Sequence, residues 1–183
     1  MRYAFVTFIA LGAIMVAGCV PSLHPLFTDD DLVADSTLVG AWVNENGNET
    51  WEFYEADGKS YELTYTQDES PAHFMAHLVS FDGRLFLDTY PDEEIENDFY
   101  KLHLVPAHIF GRVWLSQDTL KMSLLEADWL KGIIDKGEIK LAHEMVDGSL
   151  VLTASTEELQ RFARKYADDP EAFAEPTVLT RRQ

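Results

Sequence analysis

The chain has 183 residues, with 32 Asp and Glu against 14 Lys and Arg, a formal net charge of -18, and 46% hydrophobic residues. That length and apolar content suit one ordinary domain with a real core. The charge argues against nucleic acid as a partner: phosphate binding needs clustered Lys and Arg, and the only basic clusters are Arg161, Arg164, Lys165 and Arg181, Arg182. A single cysteine allows neither an internal disulfide nor a thiolate metal cluster, so packing must hold the fold.

Met1, Arg2 and Tyr3 precede an apolar run from Ala4 to Val16, the pattern of a secretory signal too short to span a bilayer stably. Val16-Ala17-Gly18-Cys19 then resembles the lipobox of bacterial lipoproteins. The resemblance implies cleavage before Cys19, a diacylglyceryl group on its thiol and acylation of its freed amine. Val20 stands where inner-membrane lipoproteins commonly carry Asp, so the same resemblance places the protein in the cell envelope on the outer membrane. Each buried methylene contributes about 0.8 kcal/mol, and several acyl chains on one residue give stable membrane attachment. The acidic surface adds no attraction for anionic head groups.

Residues 1–18 are therefore expected to be a leader, 19–37 the lipidated cysteine and a tether, and 38–183 a single domain. Pro21 and Pro25 oppose regular structure in the tether, and Thr28-Asp29-Asp30-Asp31 is a solvated patch. Leu23, Leu26, Phe27, Leu32 and Val33 are too apolar for a free linker, which predicts that part of it packs on the domain.

Beyond Val39 apolar residues recur at a spacing of two: Trp51 and Phe53; Tyr61, Leu63 and Tyr65; Phe74, Ala76 and Leu78; Leu85 and Leu87. The alternation continues through Tyr100, Leu102 and Leu104, the run 109–115, Leu120, Met122 and Leu124, Ile139 and Leu141, and Leu150 and Leu152, with a last strand at Val178-Leu179-Thr180. Asp57-Gly58, Asp82-Gly83 and Asp147-Gly148 lie between runs and suit the positive φ of tight hairpins, favouring antiparallel neighbours. About nine to eleven strands result, a mainly β, antiparallel up-and-down barrel-like domain. Two helices interrupt it. Residues 127–136 put Trp129, Leu130, Ile133 and Ile134 on one face and stop at Gly137, as a plug for one barrel end. Ser155-Thr156-Glu157-Glu158 is a capping box that opens a second helix with Leu159, Phe162, Ala163 and Tyr166 inward, closed by Asp169-Pro170.

Gly40-Ala41-Trp42 resembles the G-x-W signature that opens lipocalins and other calycin barrels. That resemblance implies a calycin-like fold in which Gly40 permits close packing at the barrel floor and Arg181 or Arg182 lies over the Trp42 ring, a contact worth roughly 0.5 to 2 kcal/mol. The exported segment, from Cys19-Val20-Pro21-Ser22-Leu23 to Glu175-Pro176-Thr177, also resembles small bacterial lipoproteins, which implies one compact domain.

If the barrel encloses a cavity, the inward sets Tyr61, Leu63, Tyr65, Phe74, Leu78, Leu102, Leu104 and Met122 are its candidate lining, suited to a small apolar ligand. No metal or cofactor is expected. His73 and His77 share a strand face, where residues four apart lie about 13 Å from each other, too far for one metal. His103, His108 and His143 have no carboxylate at a recognised spacing, and the acidic run 92–98 lacks the glycine and spacing of a calcium loop. No G-x-S-x-G, H-E-x-x-H or G-x-x-x-x-G-K occurs. The expectation is a non-catalytic binding or interaction module held on the membrane by its N-terminal lipid, with a small apolar ligand or another envelope protein as partner. A hydrolase of envelope glycan or ester is the alternative, because carboxylates brought together by folding can be catalytic.

Overall fold

A computed structural model describes residues 19–93, 95–173 and 175–182; the leader expected over 1–18 lies outside them. Ten strands form in chain order: β1 Gly40–Asn44, β2 Glu49–Glu55, β3 Ser60–Gln67, β4 Ser70–Phe81, β5 Arg84–Pro91, β6 Ile109–Leu115, β7 Thr119–Leu124, β8 His143–Val146, β9 Ser149–Leu152 and β10 Thr177–Arg181. Seven of them, β1 to β7, pair antiparallel with their sequence neighbours, and β10 closes the circle between β7 and β1. The result is an eight-stranded up-and-down barrel of calycin-like form, with β8 and β9 as a separate hairpin.

Asp82-Gly83 and Asp147-Gly148 take the positive φ expected of tight hairpins, whereas between β2 and β3 residues Asp57–Lys59 form a 3-10 turn in which Gly58 and Lys59, and not Asp57, take positive φ. Between β4 and β5, Asp82 and Gly83 both take positive φ, 51° and 78°, so a two-residue turn joins strands of matching twist. Three helices accompany the barrel: α1 Asp98–Lys101, α2 Ala127–Asp135 and α3 Thr156–Tyr166. Ser155 and Glu158 exchange the reciprocal bonds of a capping box at the start of α3.

Two cores result from strands that alternate inward and outward. Trp42, Phe53, Tyr61, Leu63, Leu78, Leu87, Leu120 and Leu179 point into the barrel and pack together. Val79, Phe81, Phe86 and Phe110 point outward from β4, β5 and β6 and form a second core with Leu130 and Ile133 of α2 and Leu159, Phe162 and Ala163 of α3. Helices α2 and α3 therefore cover the barrel's flank, and α2 does not plug an end: its apolar face meets apolar side chains that only the outer wall presents.

Residues 20–33 lie against the same wall as a strap. Val20, Leu26 and Leu32 are buried in the flank core, and Ser22 bridges to His108 and Leu152. Two expected strands are absent. Tyr100, Leu102 and Leu104 belong to α1 and the exposed turn after it, and residues 139–142 belong to no strand. Because β5 pairs directly with β6 and the barrel is closed, the barrel offers no edge on which a strand at 100–104 could form.

Candidate ligand cavity at the barrel mouth

The barrel's two ends differ. One is a closed floor. Trp42 is fully buried there and donates its indole N–H to the Leu38 carbonyl at 2.8 Å. The Arg181 guanidinium carbon sits 4.2 Å from the centre of the Trp42 ring. Its nitrogens donate to the carbonyls of Gln117, Val39 and Thr37. Gly40 has a φ of 120°, which L side chains rarely adopt, and a Cβ there would stand 2.8 Å from Arg181 Nη1, so a larger residue would be strained and would have to displace the guanidinium. Of the two arginines expected over Trp42, Arg181 takes the position.

The other end opens into a cavity of about 600 Å3. Its wall is apolar, built from Trp51, Leu63, Phe74, Leu87, Ile109, Met122, Leu124 and Leu125. Thr89, Gly111 and Thr177 also line it. These are small inward residues at the level where large ones would fill the lumen, which explains why space remains at the mouth and not at the floor. Gly111 is required by close approach, since a Cβ there would meet the Ser123 carbonyl oxygen at 2.7 Å.

Polar groups ring the mouth: Glu49, Tyr65, Gln67, Glu126 and Glu175. Glu49 accepts the indole N–H of Trp51 at 2.9 Å and is hydrogen-bonded to Tyr65. Burial and the neighbouring Glu49 carboxylate push the Tyr65 hydroxyl up to about 12, so it stays protonated as a donor. The Tyr65 ring meets Trp51 edge-on, with centroids 4.9 Å apart, fixing both side chains. Cys19 lines the same mouth, and burial followed by the Glu126 carboxylate raises its thiol pKa.

The structure sorts the residues expected from sequence. Leu63, Tyr65, Phe74 and Met122 line the cavity. Tyr61 and Leu78 point inward but belong to the packed interior, where the Tyr61 hydroxyl accepts the Asp35 N–H at 2.8 Å. Leu102 and Leu104 do not line it, since both stand exposed on the loop between β5 and β6. The rim residues Glu49, Glu126 and Glu175 and the small residues Thr89, Gly111 and Thr177 went unread in the sequence. Inward parity could have signalled Glu49 beside Trp51 and Phe53, Thr89 beside Leu87, and Thr177 beside Leu179; it could not have signalled Glu126 and Glu175, which lie outside the strands.

A second polar cluster lies outside the barrel, beneath the strap. Asp88 is fully buried; one carboxylate oxygen lies 2.7 Å from His108 Nδ1 and the other accepts the Leu26 N–H at 2.8 Å. His77 stacks on Phe27 with ring centroids 4.3 Å apart, and its buried Nδ1 has no hydrogen-bond partner among the described residues. His73 shares its outward parity but reaches Thr64 instead. His108 thus has a carboxylate partner twenty positions away in sequence, invisible to local spacing. Among the described residues, no three His, Cys, Asp or Glu side chains gather in a metal-holding group, and no helix is long and apolar enough to cross a membrane.

Comparison with known protein families, with curated proteins and with solved structures found no match.

Proposed function

We propose that this protein is a lipid-anchored module of the cell envelope that holds a small apolar ligand in the barrel mouth without transforming it. The observation that carries the reading is the 600 Å3 apolar-walled cavity in a barrel whose other half is fully packed. That volume lies within the range of small-molecule sites, and a few convergent polar groups beside an apolar wall are the usual arrangement for fixing a ligand's orientation. Three rim carboxylates disfavour an anionic head group, so the fitting ligand has an apolar tail and an uncharged or cationic head. The lipobox resemblance at Cys19 supports attachment to the membrane, and Val20 supports the outer one.

The same three carboxylates support the second reading, hydrolysis of an envelope glycan or ester. Glu49 weighs against it, because its oxygens are already engaged by Trp51 and Tyr65 in holding the cavity wall.

Native mass spectrometry of the mature chain carrying Cys19→Ser, purified from periplasm without detergent, tests the binding reading with Val20 kept in the flank core. A stoichiometric apolar adduct that organic extraction removes is expected. A clean unliganded mass, together with no saturable uptake of an uncharged apolar fluorophore, would overturn it.

A further inference from the structure

The loop between β5 and β6 presents an apolar run to solvent that the cavity does not use. Phe99, Tyr100, Leu102, Leu104 and Val105 are all exposed, Leu102 by 82% and Phe99 by 74%. Asn97 shapes this run by accepting the Tyr100 N–H at 2.8 Å, and Phe99 and His103 hold ring contact at 4.8 Å, so the apolar side chains project from an ordered turn. A contiguous exposed apolar run on so acidic a chain marks a contact surface.

Its place in the barrel decides what it contacts. β5 ends and β6 begins at the open end, where Thr89 and Ile109 line the cavity, so this loop rises from the mouth and not from the floor. Cys19 lines the same mouth. Val20, the next residue, is already buried in the flank core at 3% exposure, which leaves no slack between anchor and barrel. Acyl chains on Cys19 must therefore enter the bilayer right beside the mouth.

We propose that residues 99–105 form a second, membrane-inserting contact, which sets the open end of the barrel against the bilayer surface. Aromatic and leucine side chains suit the interfacial layer, where their apolar surface leaves water. Lys101 and His103 sit within the run, whereas Asp92, Glu93, Glu96 and Asp98 precede it, so the fitting surface is zwitterionic and not strongly anionic. The cavity then exchanges its apolar ligand with the membrane without carrying it through water. The inference rests on Cys19 as the anchor and adds a contact and an orientation that the anchor alone does not supply.

The test uses the mature lipidated protein in vesicles of phosphatidylcholine and phosphatidylethanolamine, with the mass of Cys19 read first to establish acylation. A photoreactive p-benzoylphenylalanine replaces Leu102 in one sample. In the control it replaces Tyr54, which is exposed on β2 toward the floor end. Phospholipid adducts at position 102 at least about tenfold above those at 54 are expected. Equal yields at the two positions, or crosslinks at 102 only to another protein in intact envelopes, would overturn the proposal. In parallel, the mature chain carrying Cys19→Ser is floated with the same vesicles, with and without Phe99→Asp and Leu102→Asp. Flotation should fall at least about tenfold with the urea midpoint unchanged, because both residues are exposed. Equal flotation rejects the loop contact. An unacylated Cys19 rejects the anchor and the orientation it imposes, while the flotation comparison still decides the loop. Ligand uptake by the soluble chain is a separate readout, so an empty cavity and a non-inserting loop are told apart.

Discussion

Arg181 joins the last barrel strand to the first through a single side chain. Its guanidinium covers Trp42 at 4.2 Å and donates to carbonyls from three separate positions, Thr37, Val39 and Gln117. Arg181→Met keeps the apolar stem but leaves those carbonyls and the ring face without their partner. Hydrogen bonds from charged donors contribute about 1.5 to 3 kcal/mol and the ring contact about 0.5 to 2 kcal/mol, so a loss of about 3 kcal/mol is expected in urea unfolding. Gly40→Ala attacks the same contact from the other side, because its Cβ would lie 2.8 Å from Arg181 Nη1 on a backbone at φ 120°. The double variant should cost less than the sum of the singles, which a double-mutant cycle reads directly. His77 is the residue to watch in acid. Burial lowers its pKa, with Asp88 pulling it back up and His108 pushing it further down. The unfolded chain therefore binds the proton more readily than the folded one, and stability falls as pH drops from about 6.5 toward the depressed value. Above that window His77 is neutral in both states and contributes no slope. His77→Phe removes the titration and should flatten the unfolding midpoint between pH 6.5 and 5, whereas an unchanged slope would place the acid sensitivity elsewhere.

At the scale of elements, the strap shows what local patterns convey and what they omit. Leu26 is fully buried in the flank core, and its N–H reaches Asp88 across 62 positions of sequence. Leu26→Ala opens a cavity between strap and wall, for which large-to-small substitutions cost about 2 to 5 kcal/mol. Its unfolding midpoint should drop accordingly, and cleavage near the exposed Leu23 should quicken under limited proteolysis. The sequence showed that such a segment is too apolar to be free, but not which wall receives it. Strands and hairpins were legible where each run met its neighbour through an Asp-Gly turn, and α3 was legible because Ser155 and Glu158 signal its start within four residues. Tyr100, Leu102 and Leu104 misled for a physical reason: a period of two marks a strand only when a neighbouring strand is free to pair, and β5 and β6 already pair with each other. The separation of the helices onto the flank was illegible as well, since the apolar face of α2 fits either an end or a wall and only the outward residues of β4 to β6 decide between them. Half of the expected cavity lining was found through inward parity. The rim was not, because Glu126 and Glu175 come from the long excursion between β7 and β10 and meet the mouth only when the barrel closes.

For the whole molecule, the decisive arrangement is a barrel packed at one end and open at the other, with Cys19 on the open side. Trp42, Phe53 and Tyr61 make the floor rigid, so the mouth can remain empty without loss of the fold. Met122 offers the sharpest test of that division. It pairs with Val113 and Thr177 and presents its side chain to the cavity, where there is room to grow. Met122→Trp fills the mouth from one wall and leaves the floor contacts of Trp42 and Arg181 untouched. Overpacking a filled core typically costs 1 to 3 kcal/mol, but growth into an existing void avoids most of that, so stability should change by less than about 1 kcal/mol. Binding of an uncharged apolar fluorophore should fall at least about tenfold, or roughly 1.4 kcal/mol, because the wall that the ligand covers is now covered by indole. The two measurements separate the possible sites. Lost stability with lost binding means that Met122 belongs to the packed core, and unchanged stability with unchanged binding moves the ligand off the mouth. Preserved stability with lost binding identifies the open end as the place where the ligand sits, directly beside Cys19.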